Sequence, residues 1–238
     1  MDKQAIKALL LNLGADVCGI ASAEGFKDAP PGFHPRDIFS GCRSAVVFAI
    51  ALPSVLYDAD TRIVYNHANH LSLSEIDRIT LAACRKLEAE GFKCMPVPCD
   101  SPYEHWEPER LHGRGILSMR HAAVLAGIGS MGKNTLVMNR MYGNRLNIGA
   151  FLTDIFLESD PKAEQLCLES CRRCLAACPQ KALDGVTVRQ DLCRPYTYAT
   201  NARGYSVCNC NRCRTACPFA RGNISEAKRN AAQAEAVV

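Results

Sequence analysis

Fourteen cysteines are spread over 238 residues, and two short runs of them carry the strongest chemical signal in the chain. CLESCRRCLAACP places Cys167, Cys171, Cys174 and Cys178 ahead of Pro179, and CNCNRCRTACP places Cys210, Cys213 and Cys217 ahead of Pro218. Both end in C-x2-C-x3-C-P, the spacing that holds cubane iron-sulfur clusters in bacterial ferredoxin runs, with the fourth cysteine serving the other cube. Cross-ligation by that rule puts Cys167, Cys171, Cys174 and Cys217 on one 4Fe-4S cluster. Cys167 stands one residue further from Cys171 than the rule has it, an insertion that a loop absorbs without moving the sulfur. The second 4Fe-4S cluster then has Cys178, Cys210 and Cys213 and lacks one thiolate. Cys193 and Cys208 compete for the place. Cys208 is separated from Cys210 by a single residue, and such close neighbours tend to point apart, so Cys193 is the expected ligand. Paired C-x2-C units also build zinc sites, but the x3 spacing and the closing proline favour clusters. Cys18, Cys42, Cys84, Cys94 and Cys99 lie in apolar stretches and read as small buried hydrophobes.

Two further segments have the residue types for binding. The turn Gly127-Ile-Gly129-Ser-Met-Gly132-Lys133-Asn134 imitates nucleotide motifs, yet it follows a helix where a dinucleotide fingerprint follows a strand. It also lacks the Ser or Thr after Lys133 that binds magnesium in a phosphate loop. Upstream, CDSPYEHWEPERLHGRG over 99–115 is a long polar loop with Tyr103, His105 and the sole tryptophan, Trp106. Long loops inside compact domains often line sites. His67 and His70 suggest a metal pair, but on a polar loop they read as solvated.

Composition bounds what these residues serve. Hydrophobic residues make up 48% and charged residues 22%, which fits a folded chain and excludes a disordered one. The N-terminus lacks the apolar run and cleavage site of a signal peptide, and no apolar window reaches membrane-span length. The expected location is cytoplasmic, where thiols stay reduced, so metal binding outranks disulfides. From Cys171 onward there are 11 Lys or Arg against 4 Asp or Glu, while residues 1–170 hold 17 against 20. A basic C-terminal part suits nucleic acid, but two four-thiolate clusters at about −2 each neutralise over half of the excess.

The elements that must position these groups follow from periodicity. Ile6, Leu9, Leu10 and Leu13 recur at helical spacing and stop at Gly14. Asp16 to Ala21 reads as a strand, and Ser44 to Leu52 as a strand covered on both faces. Ser72 and Glu75 form a capping box that opens a helix with Ile76, Ile79, Ala83 and Leu87 inward, ending at Gly91. Phe92 to Pro98 is a strand, Ser118 to Ala126 a helix, and Leu136–Asn139 with Leu146–Asp154 a hairpin joined at MYGN. Strand and helix alternate as in an α/β layer structure. The composition shift at Asp160-Pro161 sets the expected boundary between domains 1–160 and 161–238.

MRHAAVLAGIGSMGKNTLVMN, the LTD of Leu152 to Asp154, the segments GADVCGIA and GCRSAVVFAIALP, and the two cysteine motifs with Cys193 between them resemble the epoxyqueuosine reductases. The resemblance spans most of the chain. It implies an α/β, nitroreductase-like domain of the cobalamin-binding type followed by a ferredoxin-like domain with two 4Fe-4S clusters. Electrons would pass through the clusters to cobalamin for substrate reduction, with Gly127, Gly129, Gly132, Lys133 and Asn134 near the corrinoid. A ferredoxin or flavodoxin is the implied donor, and a small molecule or modified nucleoside, with tRNA as a further partner, the implied substrate. Corrinoid reductive dehalogenases are relatives of that family. Two departures set this chain apart. Met119 stands where the family has an acidic residue before the arginine matching Arg120, so weak activity on epoxyqueuosine is expected. The chain also reads as a short form, without the family's C-terminal helical repeats. The alternative is an electron carrier, or a reductase that activates a partner's corrinoid, without substrate chemistry of its own.

Overall fold

The computed structural model describes residues 1–208 and 210–223. Helix α1 spans Lys3–Leu13; Asp2 caps it by accepting from the Ala5 amide at 2.8 Å, and Gly14 ends it at φ +112°. Strand β1 (Val17–Ser22) follows, then a one-turn helix α2 (Pro35–Ile38) and strand β2 (Ser44–Ala51). Helix α3 runs over Arg62–Ala89, strand β3 over Cys94–Val97, and a small hairpin pairs β4 (His105–Glu107) with β5 (His112–Arg114). Next come α4 (Met119–Leu125), β6 (Ser130–Met131), β7 (Val137–Met138) and β8 (Leu146–Thr153). The cysteine-rich part contributes α5 (Arg173–Ala176), α6 (Gln190–Thr197), β9 (Tyr198–Thr200), β10 (Ser206–Cys208) and α7 (Arg212–Thr215).

The main sheet has the order β1-β2-β8-β3, with every neighbouring pair antiparallel. Alternation along β2 divides its side chains between two layers. Val46 and Phe48 join Phe151 under α1 and α3, against Ile6, Leu10, Ile76, Ile79 and Leu87. Ala45, Val47 and Ala49 face the other way with Ala150 and Leu152, against Ala122, Ala123 and Ala126 of α4. Burying each large apolar side chain in the first layer contributes roughly 1.5–3 kcal/mol. Small residues dominate the second because α4 comes in close: a Cβ on Gly19 would sit 2.0 Å from the Ala126 carbonyl oxygen.

Three sequence expectations change. The long helix starts at the Thr61 cap, eleven residues before the Ser72–Glu75 box, so Ser72 is a buried mid-helix residue. His67 and His70 therefore lie exposed on α3, not on a loop. The expected hairpin of 136–139 with 146–154 does not form. β7 pairs with β6, while β8 is a central strand between β2 and β3. The polar loop 99–115 carries the β4–β5 hairpin within it.

Candidate iron-sulfur and cofactor site

The two cysteine motifs fold alike. In the first, Ala176 and Ala177 donate backbone bonds to Arg172 and Arg173, and Cys178 to Leu175; in the second, Thr215 and Ala216 donate to Asn211 and Arg212, and Cys217 to Arg214. Each motif is thus one short helix ended by a cysteine and a proline that cannot continue it. α5 packs directly on α7, which brings the last cysteine of each motif toward the other.

The thiols gather in two groups. Burial raises the pKa of Cys174, with the charges of Cys167 and Cys171 adding to the rise. Cys217, also raised by burial, has Cys174, Cys167 and Cys171 as its electrostatic neighbours. Burial pushes Cys213 up to about 11, and the thiols near it are Cys193, Cys210 and Cys178. The Cys178 sulfur accepts the Ala182 amide at 3.3 Å, and Cys193, on α6, lies 3.4 Å from the Thr197 hydroxyl. Cys208, like Cys217, packs on the apolar cluster of Leu52, Tyr57, Tyr65 and Ala220, and its thiol donates to the Cys210 carbonyl at 3.7 Å. Among the described residues no three His, Cys, Asp or Glu side chains are close enough to hold a single metal ion. A cubane holds its four sulfurs further apart than one zinc ion does with its Zn–S bonds of about 2.3 Å. The donor chemistry of both groups, four thiols each, fits 4Fe-4S clusters.

The glycine turn serves these groups in a way the sequence did not suggest. Lys133 Nζ donates to the carbonyls of Leu168 at 3.0 Å and Cys171 at 3.1 Å, and to that of Glu169, so it clasps the loop of the first motif. Buried Asn134 donates to the Cys213 carbonyl at 2.9 Å in the second. Gly127, at φ +71°, faces the chain itself: a Cβ there would lie 2.2 Å from the Pro161 carbonyl oxygen. The same holds at Gly129, 2.3 Å from the Met138 oxygen, and at Gly132, 2.4 Å from the Met138 methyl. At these three positions the missing side chains make room for neighbouring protein.

A small cleft of about 210 Å³ is lined by Asp100, Tyr103, Glu104 and Ile116. Its wall is the 99–115 loop, where Tyr103 and Trp106 stack at 6.1 Å between ring centroids. The Arg194 guanidinium lies over both rings, at 5.2 and 5.1 Å, and 5.8 Å from the Tyr198 ring. Gln190 fastens this helix to the hairpin by exchanging two 3.1 Å bonds with the Gly113 backbone. Arg120 donates to the Thr135 hydroxyl at 2.9 Å. Arg120 is solvent-accessible, yet desolvation lowers its pKa, with Arg214 adding to the fall. Tyr198 is 54% exposed, and burial still raises its pKa. In the cleft Asp100 accepts from the Tyr103 phenol at 3.3 Å. Met119 is half-buried, its side chain packing in part on the apolar layer beneath α4. Sequence reasoning missed Asp100, Arg194, Tyr198 and Arg214, whose setting depends on contacts distant in sequence.

No protein-family model matches the chain. The epoxyqueuosine reductase of Listeria monocytogenes is 28% identical over 208 residues, covering 80% of this chain and 52% of that protein. The chain is related to the epoxyqueuosine reductases. That of Bacillus anthracis is 26% identical over 264 aligned residues, covering 92% of this chain and 65% of its own length. The chain therefore spans only half to two thirds of these relatives. Among solved structures, an epoxyqueuosine reductase with a modified tRNA-Tyr stem loop superposes with TM-score 0.63 at 20% identity, over 92% of this chain and 65% of that one. A reductive dehalogenase, whose structure bears on B12-dependent dehalogenation, gives 0.70 at 22% identity, over 97% of this chain and 33% of that one. At these identities the structures speak for a shared mixed α/β fold. No described helix is long and apolar enough to cross a membrane.

Proposed function

We propose that the protein is an iron-sulfur oxidoreductase that passes electrons through two 4Fe-4S clusters to a corrinoid held in the cleft. The observation that carries this reading is the gathering of eight thiols into two groups of four. Residues from about 161 onward form the electron-transfer part. Cys167, Cys171, Cys174 and Cys217 hold one cluster, and Cys178, Cys193, Cys210 and Cys213 the other. When bound, these groups supply low-potential one-electron transfer and a strongly reducing metal centre. Lys133 and Asn134 fix both cluster loops relative to the α/β layer. Tyr103, Trp106 and Arg194 offer a stacking wall, and Arg120 a hydrogen-bond donor toward the bound molecule. Relationship to the epoxyqueuosine reductases supports a reduction on a modified nucleoside or a small molecule, with a ferredoxin or flavodoxin as donor.

The alternative, an electron carrier or corrinoid activator, is favoured by one observation: Met119 offers no acid to deliver a proton. Titration of cluster-loaded protein with cobalamin, followed by absorbance, separates the readings. Saturable binding weakened by Arg194→Ala supports the cleft. No binding at any concentration leaves the electron carrier.

A further inference from the structure

We infer that Arg214 is the internal counter-charge of the cluster bound by Cys213 and raises that cluster's reduction potential. This rests on the cluster reading above. Arg214 follows Cys213 in α7, half-buried, with its guanidinium directed into the protein. Nη1 donates to the Asn144 carbonyl at 2.7 Å, and the Asn144 side chain returns a 3.0 Å bond to the Arg214 carbonyl. Tyr57, an electrostatic neighbour of the same guanidinium, donates its phenol to Asn144 Oδ1 at 2.9 Å. Tyr65 and Cys213 are its other electrostatic neighbours.

These partners satisfy hydrogen bonds but not charge. Tyr57 and Tyr65 are buried, and burial holds both phenols neutral by raising their pKa. A guanidinium, by contrast, stays protonated at any working pH. Among the described residues no carboxylate forms an ion pair with Arg214, whereas Arg36, Arg78, Arg189 and Arg221 each have one. Arg120, its cationic neighbour, adds to the excess. A charge withdrawn from water needs an opposite charge close by, and the anion at hand is the thiolate cluster, at about −2 when oxidised. Reduction adds one electron from a one-electron donor and breaks no bond, so a fixed cation nearby favours the reduced form more than the oxidised one. Lys133 plays no equal part, since its ammonium is spent on three carbonyls of the other loop.

The test is a redox titration of the reconstituted protein followed by electron paramagnetic resonance, with iron and sulfide measured beforehand. Arg214→Gln should lower one midpoint by at least a tenfold change in the reduction equilibrium, 59 mV for one electron. The affected midpoint should be the one that disappears in Cys193→Ala, with the other unmoved. Arg214→Lys, which keeps the charge, should restore most of the shift. Loss of the second cluster in Arg214→Gln but not in Arg214→Lys would equally support a charge requirement. Unchanged midpoints, an equal shift of both, or the same behaviour in the Lys and Gln variants would overturn the inference. Absence of iron from the unmodified protein would instead overturn the cluster reading beneath it.

Discussion

Gly127 separates a structural role for the glycine turn from a ligand-facing one. Its φ of +71° is costly for any side-chain-bearing residue, and a Cβ would meet the Pro161 carbonyl oxygen at 2.2 Å. An alanine loses roughly 1–2 kcal/mol from the left-handed backbone and a further 1–3 kcal/mol from overpacking against a carbonyl that cannot give way. Gly127→Ala should therefore destabilise the protein by about 2–5 kcal/mol, a large part of the 5–15 kcal/mol typical of a domain. Gly91 supplies the control, because its φ is +89° and a Cβ there would touch nothing within 4 Å. Gly91→Ala should cost only the backbone contribution, roughly 1–2 kcal/mol. Urea unfolding followed by circular dichroism, on preparations of matched iron content, measures the difference directly. Equal losses for the two variants would refute the packing argument. A Gly127→Ala protein of unchanged stability but impaired cobalamin binding would return the turn to the corrinoid.

Asp160 ties α1 to β1 through Lys3 and Lys7, both at 2.7 Å, and the Ile20 amide at 2.9 Å. Although burial opposes it, these partners lower its pKa, so its stabilisation is present above the unfolded carboxylate value and fades as pH falls through the folded one. Asp160→Asn should cost about 1 kcal/mol at neutral pH after screening, and the stabilities of the variant and parent should converge as pH falls below the usual carboxylate range; a gap of constant size down to full protonation of the carboxylates argues against the ion pairs. Met119→Asp, which puts an acid against the apolar layer, should lose about 1–3 kcal/mol and gain no activity on epoxyqueuosine-containing tRNA in an anaerobic assay with cobalamin; turnover appearing in the variant would place position 119 in the site after all. Replacing Cys193 by alanine should remove about four iron atoms per chain while Cys208→Ala removes none, and the reverse iron content would exchange their roles.

What the sequence disclosed was local. Helix α1 and strand β2 follow from apolar spacing within one element, and the stop at Gly14 from its own left-handed backbone. The start of α3 was hidden because its first turns expose Ile63, Val64 and Leu71, so no inward stripe announces them, while Ser72 and Glu75 imitate a cap in mid-helix. β8 was paired with its sequence neighbour because nothing local reveals that its partners are β2 and β3. At the site, cysteine spacing is legible since ligation chemistry dictates it. The hold of Lys133 on the loop of Cys171, or of Asn144 on Arg214, spans dozens of residues and leaves no periodic trace.

The central claim is two cubane clusters in two sets of four thiolates. Anaerobic reconstitution followed by iron and acid-labile sulfide analysis tests it most directly. The account predicts about eight iron and eight sulfide per chain, falling to about four of each when Cys193 is replaced. A content near four in the unmodified protein, or stoichiometric zinc without sulfide, would contradict it.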